Sequence, residues 1–216
     1  MKKIVLIGAS GFIGSALLKE ALERGHKVKA IVRNPDKITI KNPNLTIEKG
    51  DVSSSQLVSS LCKGADVIIS AYNPGWQNPE IASDTLRVYP AILDGVRRSG
   101  VKRLLVVGGA GSLFISPGTR LMDAGVMPDS YLPAVRALAS IYLDILTAER
   151  EVDWVFFSPA GSITGGKRTG KFRLGKDEMI VDSEGKSTIS VEDYAVAMLD
   201  EAENPAHHRE RFTIGY

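Results

Sequence analysis

The chain has 216 residues, of which 44% are hydrophobic and 24% are charged, a composition typical of a globular protein and unlike that of a disordered chain. The formal net charge of +2 gives no general reason to expect nucleic-acid binding, and the single cysteine excludes an internal disulfide. No apolar run approaches the roughly 18 residues that a membrane span needs, and the apolar segment after the basic N-terminus is too short for a secretory signal. These features predict a cytoplasmic protein without a membrane or nucleic-acid partner.

The charge is unevenly distributed along the chain. Residues 1–50 contain ten basic and four acidic residues, whereas residues 176–216 contain four basic and ten acidic residues. A basic first quarter in a nearly neutral chain indicates a local site for a small anion rather than a polyanionic partner.

Short apolar runs alternate with amphipathic segments. The predicted strands cover residues 4–7, 28–32, 45–48, 67–69, 104–107, 154–157 and 211–214. The predicted helices cover residues 12–24, 53–61, 84–99, 132–149 and 191–202. Asp84 is predicted to cap the third helix, and the glycine-rich stretch 161–175 is predicted to be a loop. Because several strands are apolar on both faces, the pattern predicts an α/β fold with a doubly wound, Rossmann-type parallel sheet.

The first strand leads directly into a glycine-rich turn, Gly8-Ala9-Ser10-Gly11-Phe12-Ile13-Gly14. Gly8 permits the tight turn, Gly11 lets a pyrophosphate approach the backbone, and Gly14 lets the helix pack closely on the strand. The helix N-terminus then offers N–H donors and a positive dipole end to phosphates. A glycine-rich turn without a ligand is the alternative, which the strand–turn–helix context disfavours.

The G-x-x-G-x-x-G spacing of this turn resembles that of the short-chain dehydrogenase/reductase superfamily. The chain is most similar to its atypical, NmrA-like or NAD(P)H-binding branch, which has epimerase-like and biliverdin-reductase-B-like members. The resemblance covers the whole chain, and the stretches that carry it are residues 3–14, 50–52, 64–70, 101–112 and 190–195. It implies a nicotinamide dinucleotide cofactor and a small-molecule substrate.

The residues that follow the second strand favour NADP over NAD. An acidic residue near this position accepts the ribose hydroxyls of NAD, but Arg33 stands there with Lys37 close behind. A guanidinium pairs with a 2′-phosphate in bidentate fashion. Two alternatives stay open: Arg33 only stacks on adenine or faces solvent, and Asp36 supports NAD binding if the loop folds back.

The resemblance implies further cofactor contacts. It places Asp51 and Val52 at the adenine, Ala71 and Tyr72 along the middle of the cofactor, Gly109 in the turn after the fifth strand, and Pro159 beside the nicotinamide.

The catalytic Tyr-x-x-x-Lys motif of most short-chain dehydrogenases is missing. No tyrosine of the chain precedes a lysine by four residues, so no lysine is placed to lower a tyrosine pKa. Ser112 and Tyr131 remain as the candidate catalytic residues, because both are expected at the carboxyl edge of the sheet. The alternatives are a turn serine that bonds to backbone and a packed tyrosine at a helix start.

The other candidate residues give weaker evidence for a functional role. The dispersed histidines His26, His207 and His208 suggest no metal site, and Cys62 is expected to be packed rather than nucleophilic. Trp76 is a candidate lining residue of the substrate pocket. The basic stretch 167–171 is either a surface turn or a lid.

No linker divides the chain, so residues 1–216 are expected to form one domain. Residues 1–157 make the cofactor-binding core, and residues 158–216 make a small irregular C-terminal lobe on the substrate side. The predicted function is NADPH-dependent hydride transfer to a small organic acceptor, namely a quinone, a flavin or a carbonyl compound. The alternatives are a non-catalytic NADP-sensing regulator and an NAD(P)-dependent nucleotide-sugar epimerase or dehydratase. A homodimer through the helices over 84–99 and 132–149 stays open.

Overall fold

Strands and helices alternate along residues Met1–Tyr216, all of which the computed structural model describes. The strands are β1 (Lys3–Ile7), β2 (Lys27–Val32), β3 (Leu45–Lys49), β4 (Val67–Ser70), β5 (Arg103–Val107), β6 (Phe114–Ser116), β7 (Thr119–Arg120), β8 (Asp153–Ser158), β9 (Ser162–Thr164), β10 (Arg173–Gly175), β11 (Thr188–Ser190) and β12 (Glu210–Gly215). The helices are α1 (Phe12–Glu23), α2 (Ser55–Cys62), α3 (Ile81–Ser99), α4 (Leu132–Ser140) and α5 (Val191–Glu203).

Eight of the strands form one central sheet in the order β10-β12-β8-β5-β4-β1-β2-β3. All neighbours pair in parallel except β10, which runs antiparallel to β12 at the edge. In the register of the sheet, Ile4 of β1 lies opposite Val28 of β2 and Val67 of β4. The strand order reverses between β1 and β4, which is the position where doubly wound sheets bind ligands. The predicted Rossmann-type sheet is thus confirmed.

Helices cover both faces of this sheet. Ile4 and Leu6 of β1 belong to a buried cluster with α1 and α5, whereas Val5 and Ile7 belong to a second cluster with α2 and α3. Cys62 is buried in the second cluster, and burial raises the pKa of its thiol to about 12. Strands that are apolar on both faces therefore have apolar partners on both sides, as a buried parallel sheet requires. None of the five helices is both long enough and apolar enough to cross a membrane.

Two helix predictions were wrong at their ends. The third helix begins at Ile81 rather than at Asp84. Asp84 lies in the first turn, where its Oδ2 accepts a hydrogen bond of 2.8 Å from Asn78 Nδ2. The fourth α-helix ends at Ser140 and continues as a π-helix over Ile141–Leu146 instead of reaching Glu149. The buried Glu149 carboxylate accepts the backbone N–H groups of Glu151 and Val152, which turns the chain toward β8.

The glycine-rich stretch 161–175 contains strands and is not only a loop as predicted. β9 pairs in parallel with β11 in a small separate sheet, and β10 joins the edge of the central sheet. Each strand has only three residues, so no alternation of polarity marks it in the sequence.

A buried carboxylate holds the basic stretch 167–171 in place. Asp193 of α5 accepts hydrogen bonds from Thr169 N (2.7 Å), Thr169 Oγ1 (2.5 Å), Gly170 N (2.8 Å) and Tyr216 Oη (2.7 Å). Burial alone raises the pKa of Asp193, but these hydrogen bonds outweigh it and hold the pKa below its usual range. Arg168 also pairs with Glu20 of α1 at 2.8 Å. The stretch is therefore pinned to α1 and α5.

Candidate functional site

The turn after β1 brings three backbone segments into close contact. Gly8 has a left-handed φ of +79°, and a Cβ atom there would lie 2.5 Å from the carbonyl oxygen of Ala71. A Cβ atom on Gly14 would lie 2.0 Å from the carbonyl oxygen of Gly8. Both positions therefore require glycine, because any side chain would clash with backbone. The close contacts seat the first turn of α1 against the ends of β1 and β4.

The N-terminus of α1 leaves its backbone donors without protein partners. Gly11 is the N-cap, no side chain caps the helix, and no acidic residue lies in the first turn. The N–H groups of Phe12, Ile13 and Gly14 have no acceptor among the hydrogen bonds of the structure. A Cβ atom on the exposed Gly11 would approach only the carbonyl oxygen of Gly8, at 3.4 Å. These donors, the helix dipole and the accessible backbone at Gly11 fit the pyrophosphate of a dinucleotide. Ala9 is buried beneath this surface, and Ser10 is half-buried.

Exposed cations lie beyond the end of β2. Arg33 has no ion-pair partner, and its Nη2 makes only a long contact of 3.5 Å with the carbonyl oxygen of Pro74. Lys37 ends a short 3-10 helix over Pro35–Lys37 and is also exposed. We call the surface along the carboxyl ends of β1, β2 and β4, between Gly11, Arg33 and Tyr72, the cofactor groove. The Arg33 guanidinium is available to an anionic group at its β2 end.

Asp51 and Val52 lie after β3, on the same side as Arg33. A hydrogen bond of 2.9 Å from Ser53 N to Asp51 Oδ1, the Ser53 hydroxyl and the charges of Arg87 and Arg33 hold the pKa of Asp51 below its usual range. Asp51 is exposed, and Val52 is buried. The adenine-side candidates thus combine an ionised carboxylate, an apolar surface and nearby cations.

Arg87 of α3 is a candidate residue that the sequence did not reveal. Its guanidinium acts on Asp51 together with Arg33 and pairs with Asp84 at 2.7 Å. In the sequence, Asp84 and Arg87 are an ordinary i,i+3 pair on a helix surface. Only the packing of α3 against α2 brings Arg87 close to Asp51.

Ala71 and Tyr72 extend the contact between β4 and β1. Ala71 N donates a hydrogen bond of 2.9 Å to the carbonyl oxygen of Ile7. The half-buried Tyr72 ring packs edge-to-face against Tyr89 with 5.7 Å between centroids, and Tyr89 Oη donates to the Tyr72 carbonyl oxygen. Burial, with the negative charge of Asp84, raises the pKa of Tyr72, so its phenol stays neutral. Tyr72 therefore offers the groove a fixed, uncharged ring.

The turn after β5 is packed by apolar side chains of α4. A Cβ atom on Gly111 would lie 2.1 Å from Val135 Cγ1, and one on Gly109 would lie 3.2 Å from Leu138 Cδ2. The α4 side chains that meet Gly109 and Gly111 are thus aliphatic. Gly108 N donates to the carbonyl oxygen of Phe157, which joins the turn to β8 just before the buried Pro159.

Ser112 is held inside this packed turn. Its side chain is 1% exposed, and its Oγ accepts a hydrogen bond of 2.8 Å from Arg211 Nη1. The buried Arg211 also bonds to Asp177 through Nε at 3.0 Å and lies 4.7 Å from the centroid of the Tyr142 ring. Ser112 therefore connects β12 to the turn after β5. A direct contact of Ser112 with substrate stays a prediction. Arg211 gave no signal in the sequence, where it is one of three consecutive charged residues, with Arg209 and Glu210, at the start of the last strand.

Tyr131 has quite different surroundings. It precedes the first turn of α4, its side chain is 48% exposed, and its ring packs edge-to-face against Trp76 with 5.6 Å between centroids. Trp76 belongs to the segment between β4 and α3 and is 59% exposed. The two candidate catalytic residues are thus one buried serine and one surface aromatic, and a proton-donating role for Tyr131 stays a prediction.

The sheet, its reversal of strand order and the uncapped glycine turn together define a Rossmann-type dinucleotide-binding protein. The profile of a family described as NAD(P)H-binding matches residues 8–205, and the chain belongs to this family. The predicted resemblance is confirmed at that level.

Three relatives are similar over their whole lengths. The uncharacterized protein YwnB of Bacillus subtilis (strain 168) is 40% identical over 215 residues, which cover 98% of this chain and 97% of YwnB. The crystal structure of a candidate epimerase from Bacteroides thetaiotaomicron is 61% identical with a TM-score of 0.95, covering 100% of this chain and 97% of that one. The structure of a candidate NADH-flavin reductase from Streptococcus pneumoniae TIGR4 is 33% identical with a TM-score of 0.84, covering 100% and 99%.

Proposed function

We propose that the protein is an oxidoreductase of the atypical short-chain dehydrogenase type that transfers hydride from NADPH to a small organic acceptor. The observation that carries this proposal is the open N-terminus of α1, whose donors at Phe12, Ile13 and Gly14 have no protein acceptor. The bound nicotinamide supplies the hydride, and the chain binds and orients it.

Unpaired positive charge supports NADPH rather than NADH as the preferred cofactor. Arg33 and Lys37 follow β2 where an NAD-specific site has an acidic residue. Arg33 has no ion-pair partner, and Arg87, which pairs with Asp84, is a second guanidinium at the same end of the groove. Asp36 keeps NADH as the alternative, and the Streptococcus pneumoniae relative is itself a candidate NADH-flavin reductase.

The packed turn after β5 indicates which class of hydride acceptor the protein reduces. Hydride transfer to an isolated carbonyl leaves an alkoxide that is about as basic as hydroxide, so it needs a protein acid. The α4 face at this turn presents Val135 and Leu138 instead of a tyrosine–lysine pair. Reduction of a conjugated acceptor leaves a delocalised anion comparable to a phenolate, whose conjugate acid has a pKa of about 10. Water can protonate such an anion without a protein acid. The site therefore favours a quinone or a flavin over a simple carbonyl.

The experiment is a panel of acceptors presented to the purified protein with NADPH or NADH. We expect oxidation of NADPH with menadione or FMN, faster than with NADH and faster than with hexanal as the carbonyl acceptor. Isothermal titration of each nucleotide measures binding independently of turnover. Tight NADPH binding without turnover of any acceptor would contradict the enzymatic proposal.

A regulatory protein that senses NADPH is the second candidate. The observation in its favour is that Ser112 Oγ is engaged by Arg211 inside a packed turn, so the usual acid–base residues are replaced by structural contacts. An epimerase or dehydratase is less well supported, although one relative is described as a candidate epimerase. That chemistry needs the same proton-transferring pair that this turn lacks.

A further inference from the structure

Two large aromatic side chains are exposed together beside the candidate cofactor groove. Trp76 is 59% exposed and Tyr131 is 48% exposed, and their rings meet edge-to-face with 5.6 Å between centroids. Neither the Tyr131 hydroxyl nor the Trp76 indole N–H bonds to another residue of the chain. This aromatic pair forms an exposed apolar surface on which a ligand can pack.

The aromatic pair links the two turns that define the site. The segment that carries Trp76 begins at Ala71, whose carbonyl oxygen packs against Gly8, and its Pro74 carbonyl oxygen contacts Arg33. Trp76 therefore projects from a segment that borders the groove.

Tyr131 reaches the pair from the other turn. It leads into α4, which packs on the turn after β5 through Val135. Because β4 and β5 are neighbours in the sheet, the pair spans their adjacent carboxyl ends, where ligands of doubly wound sheets bind.

Both rings present apolar surface to solvent. Aromatic side chains give large contact area with little conformational entropy, and planar conjugated rings stack on their faces. Flat faces select flat ligands, because a saturated chain cannot match the same contact area. Arg136 of α4 lies 3.9 Å from Asp123, so its charge is already balanced by a carboxylate of the chain.

Resting on the proposed function, we infer that the hydride acceptor is a planar conjugated ring system, of the quinone or flavin class, and that it stacks on Trp76 and Tyr131. The acceptor gains a hydride from NADPH, which is two electrons and one hydrogen nucleus, and one proton from water. A quinone is thereby reduced to its hydroquinone while the nucleotide is oxidised to NADP⁺. Tyr131 contributes its ring surface, and its hydroxyl donates no proton.

Paired substitutions test whether the aromatic ring, rather than the hydroxyl or the indole N–H, is needed for activity. Trp76→Ala and Tyr131→Ala remove a ring, whereas Trp76→Phe and Tyr131→Phe keep one. Leu174→Ala is the matched control, because Leu174 is 50% exposed on β10 at the far edge of the sheet. We expect kcat/KM for menadione with NADPH to fall about tenfold in each alanine variant and to stay within about threefold in each phenylalanine variant. The Kd for NADPH and the activity of Leu174→Ala should not change.

Two results would overturn the inference while the proposed function stood. One is wild-type turnover of menadione that Trp76→Ala leaves unchanged, and the other is faster turnover of hexanal than of menadione. Loss of activity in Tyr131→Phe equal to that in Tyr131→Ala would overturn the role given to the Tyr131 ring, because it would show that the hydroxyl acts.

Failure of the proposed function has a different signature. If the wild-type protein binds NADPH but reduces no acceptor, titration of menadione into the NADP⁺-saturated protein still tests the aromatic site. Binding that weakens about tenfold in Trp76→Ala but not in Leu174→Ala would support the site without catalysis. Absence of menadione binding to the wild-type protein would overturn it.

Discussion

Two strand-to-helix turns lie at the same edge of the sheet, and they are built in opposite ways. The turn after β1 packs backbone against backbone at Gly8 and Gly14 and leaves the N–H groups at the start of α1 without acceptors. The turn after β5 is filled by side chains, with Val135 against Gly111 and Arg211 bonded to Ser112. The first turn is organised to hold a ligand, and the second is organised to hold the protein together.

The contrast shows how one fold separates cofactor binding from acid–base chemistry. Backbone donors at a helix N-terminus need no particular side chain, so the first turn keeps its function as long as the glycines remain. Proton transfer needs titratable side chains at fixed positions, and the second turn has replaced them by aliphatic packing. This contrast supports the proposed function, in which the acceptor takes a hydride without help from a protein acid.

The largest expected effect is at the first turn. Gly11→Val should weaken NADPH binding by at least about 100-fold, because the valine side chain would occupy the approach of the pyrophosphate. The fold should persist, since Gly11 has an extended φ of −81° and ψ of 173°, which any residue adopts. Isothermal titration measures the affinity, and a thermal scan checks that the melting temperature stays within about 2 °C.

Gly165→Val is the control for Gly11→Val, because no atom outside the adjacent residues lies within 4 Å of a Cβ atom there. NADPH binding that survives Gly11→Val would show that the first turn is not the phosphate site and would remove the contrast between the turns.

The charge beside the first turn should set the nucleotide preference. Arg33→Ala should weaken NADPH binding about tenfold, the value of one charge-assisted hydrogen bond, and leave NADH binding unchanged. Lys41→Ala, an exposed cation of the same basic quarter, should affect neither nucleotide. Equal affinities of the wild-type protein for NADPH and NADH would refute the preference before any substitution.

Ser112→Ala tests whether the second turn is structural. Removing the Oγ acceptor leaves a buried Arg211 N–H without its partner, which should lower the free energy of unfolding by about 1 kcal/mol. The kcat for menadione should stay within about threefold, because Arg211 already occupies the Ser112 Oγ. Denaturant unfolding and steady-state kinetics measure the two effects, with the exposed Ser116→Ala as the control. A large loss of kcat at unchanged stability would make Ser112 catalytic after all.

The smallest expected effect is that of pH on the rate. Burial raises the pKa of Tyr72 and of Tyr142, the partly buried tyrosines beside the two turns. A raised pKa means that the neutral phenol persists to higher pH, and an ordinary phenol already titrates only near about 10. Neither residue therefore changes charge between about pH 6 and 9, and kcat/KM for menadione should vary less than about threefold over that range. A clear ionisation near neutrality would reveal an acid that the second turn does not show.

Local features were predictable where the backbone alone decides them. Gly8 and Gly14 were assigned correctly to a tight strand-to-helix turn, because the left-handed φ of Gly8 and the contact of Gly14 with Gly8 arise within this short segment, whereas the contact of Gly8 with Ala71 depends on β4. The π-helix after α4 was not predictable, because it places Tyr142 in a stacked contact of 5.0 Å with Phe156 of a distant strand. The helix start at Ile81 was missed for a related reason, since Asp84 bonds to Asn78 rather than capping the helix.

The sequence by itself determined the doubly wound sheet, the glycine turn and the absence of a tyrosine–lysine motif, because periodicity, glycine spacing and motif spacing are properties of neighbouring residues. The tertiary structure decided what each site contains. Ser112 meets Arg211 across 99 residues, and Trp76 meets Tyr131 from a different segment. Such contacts depend on how strands and helices pack, and no local pattern encodes them. The buried serine and the exposed aromatic pair became visible only when the chain was folded.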